Sequence, residues 1–344
     1  MAFAFLNAII VAAALAVIEG GVVLLLEHPP PLVIARKVLA GYYGNWDRSI
    51  IQFMPECSTH DPELTYILRP GRCRFANREF DTEVRVNSLG TRDDEASLHR
   101  PSIVVLGDSQ AMGWGVEESE TFSMLLEGTC GQKVLNAAVP SYGTAREIGL
   151  LKRVDTDALD WLIVQYHEND LRENFIFKLR GNVLTGQSKA EYEALQTQAV
   201  RQRHYFPGKH AQQFARHLFS GVTEALARPS ERSEGSVRPN GTVQEEVEVF
   251  LNVLARAPSL NKNTRVIVLE VSAGDQWDPD FTRELRRQLA TATVSAPWRS
   301  LKVVDPAERL RPSDFLVLDH HLNAQGHRVL AAQLSESMGC RGPM

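Results

Sequence analysis

Cysteine is scarce in this chain, with only four among 344 residues. None of the four has the Cys-x-x-Cys spacing of structural zinc sites, so the sequence indicates no metal site. Cys57 and Cys73 lie close together in a segment rich in proline and glycine, where a disulfide would close a short loop outside a reducing compartment. We therefore predict a Cys57–Cys73 disulfide, whereas Cys130 and Cys340 have no obvious partner.

The chain also has no excess of basic residues over acidic ones. The 37 lysines and arginines are outnumbered by 42 aspartates and glutamates, and the cations are scattered rather than clustered. The resulting net charge of -5 excludes the basic surface that nucleic-acid-binding proteins use, so we expect no nucleic-acid partner. The hydrophobic content of 44% is ordinary for a globular protein, and the length suits one α/β core with appended segments.

Polar side chains are nearly absent from the first 26 residues, where Asn7 and Glu19 are the only strongly polar ones. That length of apolar chain is enough to span a bilayer as a helix. A cleaved signal peptide is the rival, but no basic residue precedes the apolar run, which continues well past its only Ala-x-Ala at 14–16. We expect an uncleaved transmembrane anchor at 1–27.

The orientation of this anchor is ambiguous from the residues alone. Arg36, Lys37 and Arg48 all follow the span, and by the positive-inside rule they would hold that flank in the cytoplasm. The predicted disulfide favours the opposite orientation. Both orientations stay open at this point.

The chain divides into a lead-in at 28–98 and a larger domain at 99–344. Three prolines at 29–31 would end the anchor helix, and TEVRVNSLG alternates like a short strand. The larger domain has short apolar runs between helical patterns, which is typical of a parallel sheet with crossover helices. Its predicted strands are SIVVLGDS, KVLNAAV, WLIVQY, TRVIVLEVS and LKVVD. The stretch at about 171–262 is too long for one crossover and predicts a helical insertion.

The first candidate catalytic residue is Ser109, which follows the apolar run IVVL and the residues Gly107 and Asp108. The carboxyl edge of a parallel sheet is where ligands bind, and a serine on a tight turn there can expose its hydroxyl beside backbone N–H groups. The alternative is that Asp108 and Ser109 only cap the following helix.

The C-terminal part supplies a possible base, because FLVLDHHLNAQGH places Asp319 two residues before His321. Serine is a weak nucleophile until a base takes its proton, and histidine oriented by an acid is suited to this near neutral pH. His320 competes as the base, but Asp319 is the only acid nearby to orient a histidine. His327 is expected to pack or cap within the last helix.

Two further turns offer donors for an oxyanion. Gly143 follows the second predicted strand, where its backbone can approach a substrate, and Asn169 follows the third and carries a side-chain amide. Each turn alone is unremarkable, and Gly143 could serve turn geometry only. Asp170, Arg92 and Glu117 could line the same cleft or be structural charges.

These blocks together resemble the SGNH, or GDSL-like, hydrolases over roughly 103–338. The resemblance implies a three-layer α/β/α domain of flavodoxin-like plan, and an acyl-serine mechanism that needs no metal or organic cofactor. It assigns Ser109, Asp319 and His321 to the catalytic triad, and Gly143 and Asn169 to the oxyanion hole. YILRPGRCRF and VRVNSLGTRDDE are similar to the membrane-anchored, extracytoplasmic bacterial branch. The resemblance therefore implies a single-pass protein of the inner membrane whose domain is periplasmic.

This sequence departs from the family's pattern in two places. His167 and Glu168 precede Asn169 where the family usually has glycine, and His167 could narrow the site. The acid stands two residues before His321, as in the branch resembling polysaccharide O-acetyltransferases and acetylesterases. We therefore expect a serine esterase acting on O-acyl, particularly acetyl, groups of a glycan or small molecule. The alternatives are an O-acetyltransferase for an exported polysaccharide and a catalytically silent carbohydrate-binding protein with this fold.

Overall fold

The computed structural model describes residues 2–226, 242–258, 260, 263–272, 280–291 and 301–340. Helix α1 (Ala2–Glu27) ends just before the three prolines, as predicted. Its segment Phe5–Glu27 is long and apolar enough to cross a membrane, a test that a signal sequence would also pass. Helix α2 (Val33–Tyr42) follows and continues into a π-helical turn, Tyr43–Asp47.

The lead-in then forms two small antiparallel ribbons. Strands β1 (Ser58–Asp61) and β2 (Thr65–Leu68) make the first, and β3 (Gly71–Ala76) and β4 (Asp81–Val86) make the second. The lead-in was predicted to contain short strands, and β4 is the one located from TEVRVNSLG. The other three were not located because they carry polar residues. The structure contains the predicted Cys57–Cys73 disulfide, which ties β3 to the residue before β1.

The larger domain is built on a five-stranded, wholly parallel sheet, and its strands coincide with the five predicted apolar runs. They are β5 (Ile103–Leu106), β6 (Val134–Asn136), β7 (Trp161–Tyr166), β8 (Arg265–Glu270) and β9 (Lys302–Val304). The spatial order β6-β5-β7-β8-β9 is the flavodoxin-like order. Strand β6 is added on one side of β5, and strands β7 to β9 are added on the other. The carboxyl ends of β5 and β7 therefore border the crevice where such folds bind ligands.

Helices cover both faces of this sheet. The helices described in residues 99–344 are α3 (Ser109–Met112), α4 (Phe122–Cys130), α5 (Thr144–Leu151), α6 (Asp170–Leu179), α7 (Lys189–Arg203), α8 (Lys209–Leu226), α9 (Val243–Leu254), α10 (Asp280–Thr291) and α11 (Ala324–Met338). Val105 packs in the core under α4 and α11, whereas its neighbour Val104 packs in the core under α5, α9 and α10. The predicted three-layer α/β/α architecture is therefore confirmed.

Two features differ from the sequence predictions. Helix α9 falls within the stretch interpreted as an insertion, but it is the crossover helix between β7 and β8, with Val247, Phe250 and Val253 buried on the sheet. Cys130 and Cys340, which had no obvious partner, form a second disulfide across 210 residues. Helices α4 and α11 pack side by side, so their ends bring the two cysteines together.

Candidate active site

Ser109 lies at the carboxyl end of β5, as the first residue of α3. The turn is tight, because a Cβ on Gly107 would lie 2.6 Å from both the Ala111 Cβ and the Gln165 Oε1. Asp108 caps the helix by accepting a hydrogen bond from the Gln110 N–H at 2.9 Å. The capping alternative therefore holds for Asp108, while the Ser109 hydroxyl has a different partner.

That partner is His321, whose Nε2 lies 2.8 Å from the Ser109 Oγ. The other ring nitrogen, Nδ1, lies 2.7 Å from the Asp319 Oδ1. The Asp319 side chain is fully buried and that of His321 is 11% exposed. Burial raises the pKa of Asp319, but its hydrogen bond with His321 and the nearby charges outweigh this and lower the pKa below its ordinary value. Asp319 is therefore a carboxylate at neutral pH, and the three residues form a continuous hydrogen-bonded chain.

Two residues of the lead-in also bind the Asp319 carboxylate. The Tyr43 hydroxyl donates to Oδ2 at 2.5 Å, and the Arg48 guanidinium donates to Oδ1 at 3.3 Å. Both oxygens of this buried acid thus have donors, as a buried charge requires. The sequence did not indicate Tyr43, and it indicated Arg48 only as a cation that bears on membrane orientation. No local pattern links residues more than 270 positions apart.

The turn that carries Asp319 and His321 is held by side chains from two other elements. The Glu79 carboxylate accepts the backbone N–H groups of residues 317–319 at 2.6 to 2.9 Å. The Gln110 side chain bonds the carbonyl of His320 and the N–H of Leu322, on either side of His321. His320 has a left-handed φ of 60°, so the local backbone is unusual for a non-glycine residue. These contacts fix His321 relative to Ser109 through the neighbouring Gln110.

Trp114 forms one wall of the site. Its ring stacks on the His321 ring at a centroid distance of 4.8 Å and an interplanar angle of 12°. The Arg48 guanidinium lies 5.7 Å from the centroid of the Trp114 ring. The tryptophan is only 3% exposed, so it shields the imidazole from solvent on that face. Trp114 was another residue that the sequence did not single out.

The two predicted oxyanion donors lie in turns that are hydrogen-bonded to the site and to each other. The Asn169 Nδ2 donates to the Asp108 Oδ2 at 3.2 Å, which places the amide beside the residue preceding the nucleophile. Gly143 precedes α5, and a Cβ there would lie 2.9 Å from the Glu173 side chain, so glycine is needed for close approach. The Thr144 hydroxyl donates to Asp170 at 2.8 Å and joins the two turns.

The remaining sequence candidates have structural partners. The Asn169 N–H donates to the His167 Nδ1 at 3.2 Å, so His167 supports the turn that carries Asn169. Arg92 is buried and donates to the carbonyls of Gly113 and Val116, which makes it a structural cation. Glu117 caps a short 3-10 turn. Arg92 and Glu117 therefore both make the structural contacts that were one of the two alternatives for them.

Asp170 and Glu147 form a fully buried acidic pair behind the turns of Gly143 and Asn169. Burial, and then the charge of neighbouring carboxylates, raises the pKa of both groups well above the ordinary range. The shift favours the protonated form of these acids, because burial penalises a carboxylate. His327 is likewise buried and accepts the Phe122 N–H at 3.1 Å, which fits its predicted packing role.

A cavity of about 720 Å³ opens beside Asn169. The lead-in forms one side of it and helix α6 forms another, and residues of the segment 180–187 and Leu195 of α7 also line it. Aliphatic, aromatic and charged side chains all contribute to the lining, among them Ile50, Tyr66, Arg146, Glu173 and Ile176. The lining therefore combines apolar and polar surface.

No protein-family model and no curated protein sequence matches the chain. Among solved structures, the chain is similar to a carbohydrate esterase family 2 enzyme from Corynascus thermopiles, at 14% identity over 69% of this chain and 66% of that one, with a TM-score of 0.40. It is also similar to the lipase Lip_vut3 from a goat rumen metagenome, at 15% identity over 70% and 97% of the chains, with a TM-score of 0.36. The α/β hydrolase LAE5 from the metagenome of Lake Arreo shares 12% identity over 71% and 97%, with a TM-score of 0.35. Identities and TM-scores of this size do not assign an activity to the chain.

Proposed function

We propose that this protein is a serine esterase of the SGNH type, with Ser109 as nucleophile, His321 as general base and Asp319 as the acid that orients the base. One observation carries the proposal: the imidazole of His321 bridges the Ser109 hydroxyl at 2.8 Å and the Asp319 carboxylate at 2.7 Å. This is the geometry that a nucleophile, base and orienting acid require.

The proposed reaction has two steps, acylation of Ser109 and hydrolysis of the acyl-enzyme. The Ser109 Oγ attacks the ester carbonyl and its proton passes to the His321 Nε2. The tetrahedral intermediate collapses, the alcohol leaves with that proton, and an acyl-Ser109 ester remains. Water then attacks this ester with His321 again acting as base, which releases the acid and restores the hydroxyl.

The developing oxyanion would be held by the backbone N–H groups of Ser109 and Gly143 and by the Asn169 side chain. One hydrogen of the Asn169 amide is directed to Asp108, which orients the second hydrogen for the substrate. Because the amide is fixed before substrate arrives, it need not reorganise as charge develops.

For the substrate, we propose an O-acyl, particularly O-acetyl, ester of a carbohydrate. The Asp-x-His spacing of Asp319 and His321 favours this class through the family resemblance, and the mixed lining of the cavity beside Asn169 is compatible with a sugar. The same spacing favours the alternative of an O-acetyltransferase, in which a sugar hydroxyl replaces water in the second step. Competition between water and added sugar acceptors, measured from an acetyl donor, separates the two.

For the location, we propose that α1 anchors the protein in the cell membrane and that the rest of the chain lies outside the cytoplasm. The pairing of all four cysteines in disulfides supports an oxidising compartment. A carboxyl-terminal alkaline phosphatase fusion should be active. An inactive fusion, together with an active cytoplasmic reporter, would contradict this orientation and favour the positive-inside rule.

The proposed activity is tested by labelling with a fluorophosphonate probe and by hydrolysis of short-chain esters. We expect the full chain to be labelled and Ser109→Ala to lose both labelling and turnover. Ser141→Ala, which removes a hydroxyl at the rim of the cavity, is the matched control and should still be labelled. A folded Ser109→Ala variant that hydrolyses esters at the parental rate would refute the proposal.

The neighbouring histidines provide a second comparison. His321→Ala should lose several orders of magnitude in turnover, whereas His320→Ala should lose little because its backbone carbonyl, which bonds Gln110, is retained. Equal losses in both variants would indicate a general disturbance of the turn and would contradict the assignment of His321 as the base.

A further inference from the structure

The anchor helix α1 has two parts with different surroundings. Its described side chains up to Ile18 are exposed, whereas Glu19, Val22 and Leu26 are at least 90% buried against the rest of the protein. The Glu19 Oε2 accepts the N–H of Ala211, near the start of α8, at 2.8 Å. Such specific contacts are not those of a flexible tether, and the last turns of α1 are therefore a docked part of the domain.

The docked part of α1 reaches the candidate triad through one continuous cluster. Val22 and Leu26 pack in the same apolar cluster as Tyr43 and Leu318. Tyr43 is fully buried, and its hydroxyl donates to Asp319, the residue after Leu318. The anchor thus packs in one cluster with Tyr43, and Tyr43 in turn binds the acid that holds His321.

Tyr43 is suited to a permanent donor role. Burial, and then the charge of Asp319, raises its pKa far above its ordinary value, which keeps the hydroxyl protonated as a donor. A neutral donor can orient the carboxylate without cancelling the negative charge that stabilises the imidazolium of His321. The Arg48 contact is longer, at 3.3 Å, and its side chain is 28% exposed, so Tyr43 is the better positioned of the two donors.

We propose that Tyr43 is a positioning residue for Asp319 and that ester hydrolysis depends on the docking of the last turns of α1, which hold Tyr43 in place. The inference rests on the proposed function, since it concerns the same reaction. It assigns to the anchor a role in catalysis in addition to membrane attachment.

The first test compares Tyr43→Phe with Tyr42→Phe in the full chain, purified in detergent micelles. Both changes remove one buried hydroxyl and keep the ring, but the Tyr42 hydroxyl bonds the His210 Nδ1 at 2.9 Å and not Asp319. We expect Tyr43→Phe to lower kcat about tenfold with little change in KM, because one hydrogen bond to a buried charge is lost. Tyr42→Phe should retain the parental kcat.

The pH profile of kcat/KM separates positioning from a loss of folded protein. The titratable and charged groups that face Asp319 are Tyr43, Arg48, Glu79 and His321. With the Tyr43 hydrogen bond removed, the carboxylate accepts more strongly from the imidazolium, so the acidic limb of the profile should move to higher pH. A smaller amount of active enzyme would lower the whole profile without moving its limb. Arg48→Gln should move the limb in the same direction, which gives a second variant if Tyr43→Phe folds poorly.

The second test compares Leu26→Ser with Leu25→Ser. Leu26 is 1% exposed within the docking cluster, whereas its neighbour Leu25 is 42% exposed on the same helix. We expect Leu26→Ser to reproduce the lower kcat and the shifted acidic limb, and Leu25→Ser to match the parental enzyme.

Three outcomes overturn the inference while Ser109 is still labelled by the fluorophosphonate probe. They are an unchanged kcat and acidic limb in Tyr43→Phe, an unchanged profile in Leu26→Ser, and equal losses in Leu25→Ser and Leu26→Ser. Absence of labelling in the parental protein would instead refute the proposed function itself. The two failures are therefore distinguishable.

Discussion

Replacing Asp319 by asparagine removes one charge from the centre of the site while keeping its shape. In the native site, Arg48 and His321 both face Oδ1 and Tyr43 faces Oδ2. Arginine has no acceptor, so the amide nitrogen of the new side chain cannot take the Oδ1 position. It must take the Oδ2 position, where the Tyr43 hydroxyl can rotate to accept. The oxygen therefore stays opposite His321, and the imidazole keeps the tautomer with its proton on Nδ1.

The expected loss then comes from charge alone. Asp319 and His321 approach to 2.7 Å, with both side chains almost fully buried. At a charge separation of about 4 Å and an effective dielectric constant of about 20, the carboxylate stabilises the imidazolium by about 4 kcal/mol. Losing this stabilisation should lower kcat of Asp319→Asn roughly a thousandfold. Because the imidazolium is less stable in the variant, the acidic limb of the pH profile should move to lower pH.

The assay is steady-state hydrolysis of a short-chain ester by purified Asp319→Asn between about pH 5 and 9, with the rate of fluorophosphonate labelling measured in parallel. Near-ultraviolet circular dichroism checks that the variant is folded. A folded variant with less than a tenfold loss, or with an acidic limb at higher pH, would show that Asp319 does not stabilise the imidazolium.

The remaining predictions concern the oxyanion, the disulfides and a buried acid. Asn169→Ala should lower kcat about a hundred- to a thousandfold with KM little changed, because one oxyanion donor is lost; a loss below fivefold would contradict that role. Reducing the Cys130–Cys340 disulfide, which spans 210 residues, should cost about 5 kcal/mol of unfolding free energy in denaturant titrations, against about 3 kcal/mol for Cys57–Cys73, which spans 16. Burial raises the pKa of Glu270 from 4.5 to about 7. The free-energy cost of burying its charge is therefore absent below pH 4.5 and complete above about pH 7. Glu270→Gln should therefore raise the thermal midpoint at pH 8 and not at pH 4, and an equal effect at both would be inconsistent with the buried charge.

Much of the domain could be predicted because its determinants are local. Strands β5 to β8 are almost entirely buried on both faces and therefore form continuous apolar runs in the sequence. Ser109 follows such a run directly, and Asp319 and His321 share one turn. The catalytic roles of these residues stay predictions, but their closeness in space is observed.

Pairings between distant segments could not be predicted in this way. The Cys130–Cys340 bond depends on the packing of α4 against α11, which no spacing in the chain reveals. Helix α9 had the apolar stripe of a core helix, but only the sheet shows that it is a crossover helix rather than part of an insertion.

The sequence by itself determined the fold class, because hydrophobic periodicity and strand-end residues depend on neighbours along the chain. It also determined the residue types at the site, since a serine, a histidine and an acid at strand ends suit few chemistries. Only the tertiary structure decided what surrounds the acid. Tyr43, Arg48 and Glu79 reach the turn of Asp319 from a segment at least 238 residues earlier. The physical reason is that a buried carboxylate must be satisfied by whichever donors the packing brings to it, and that packing includes the docked end of α1.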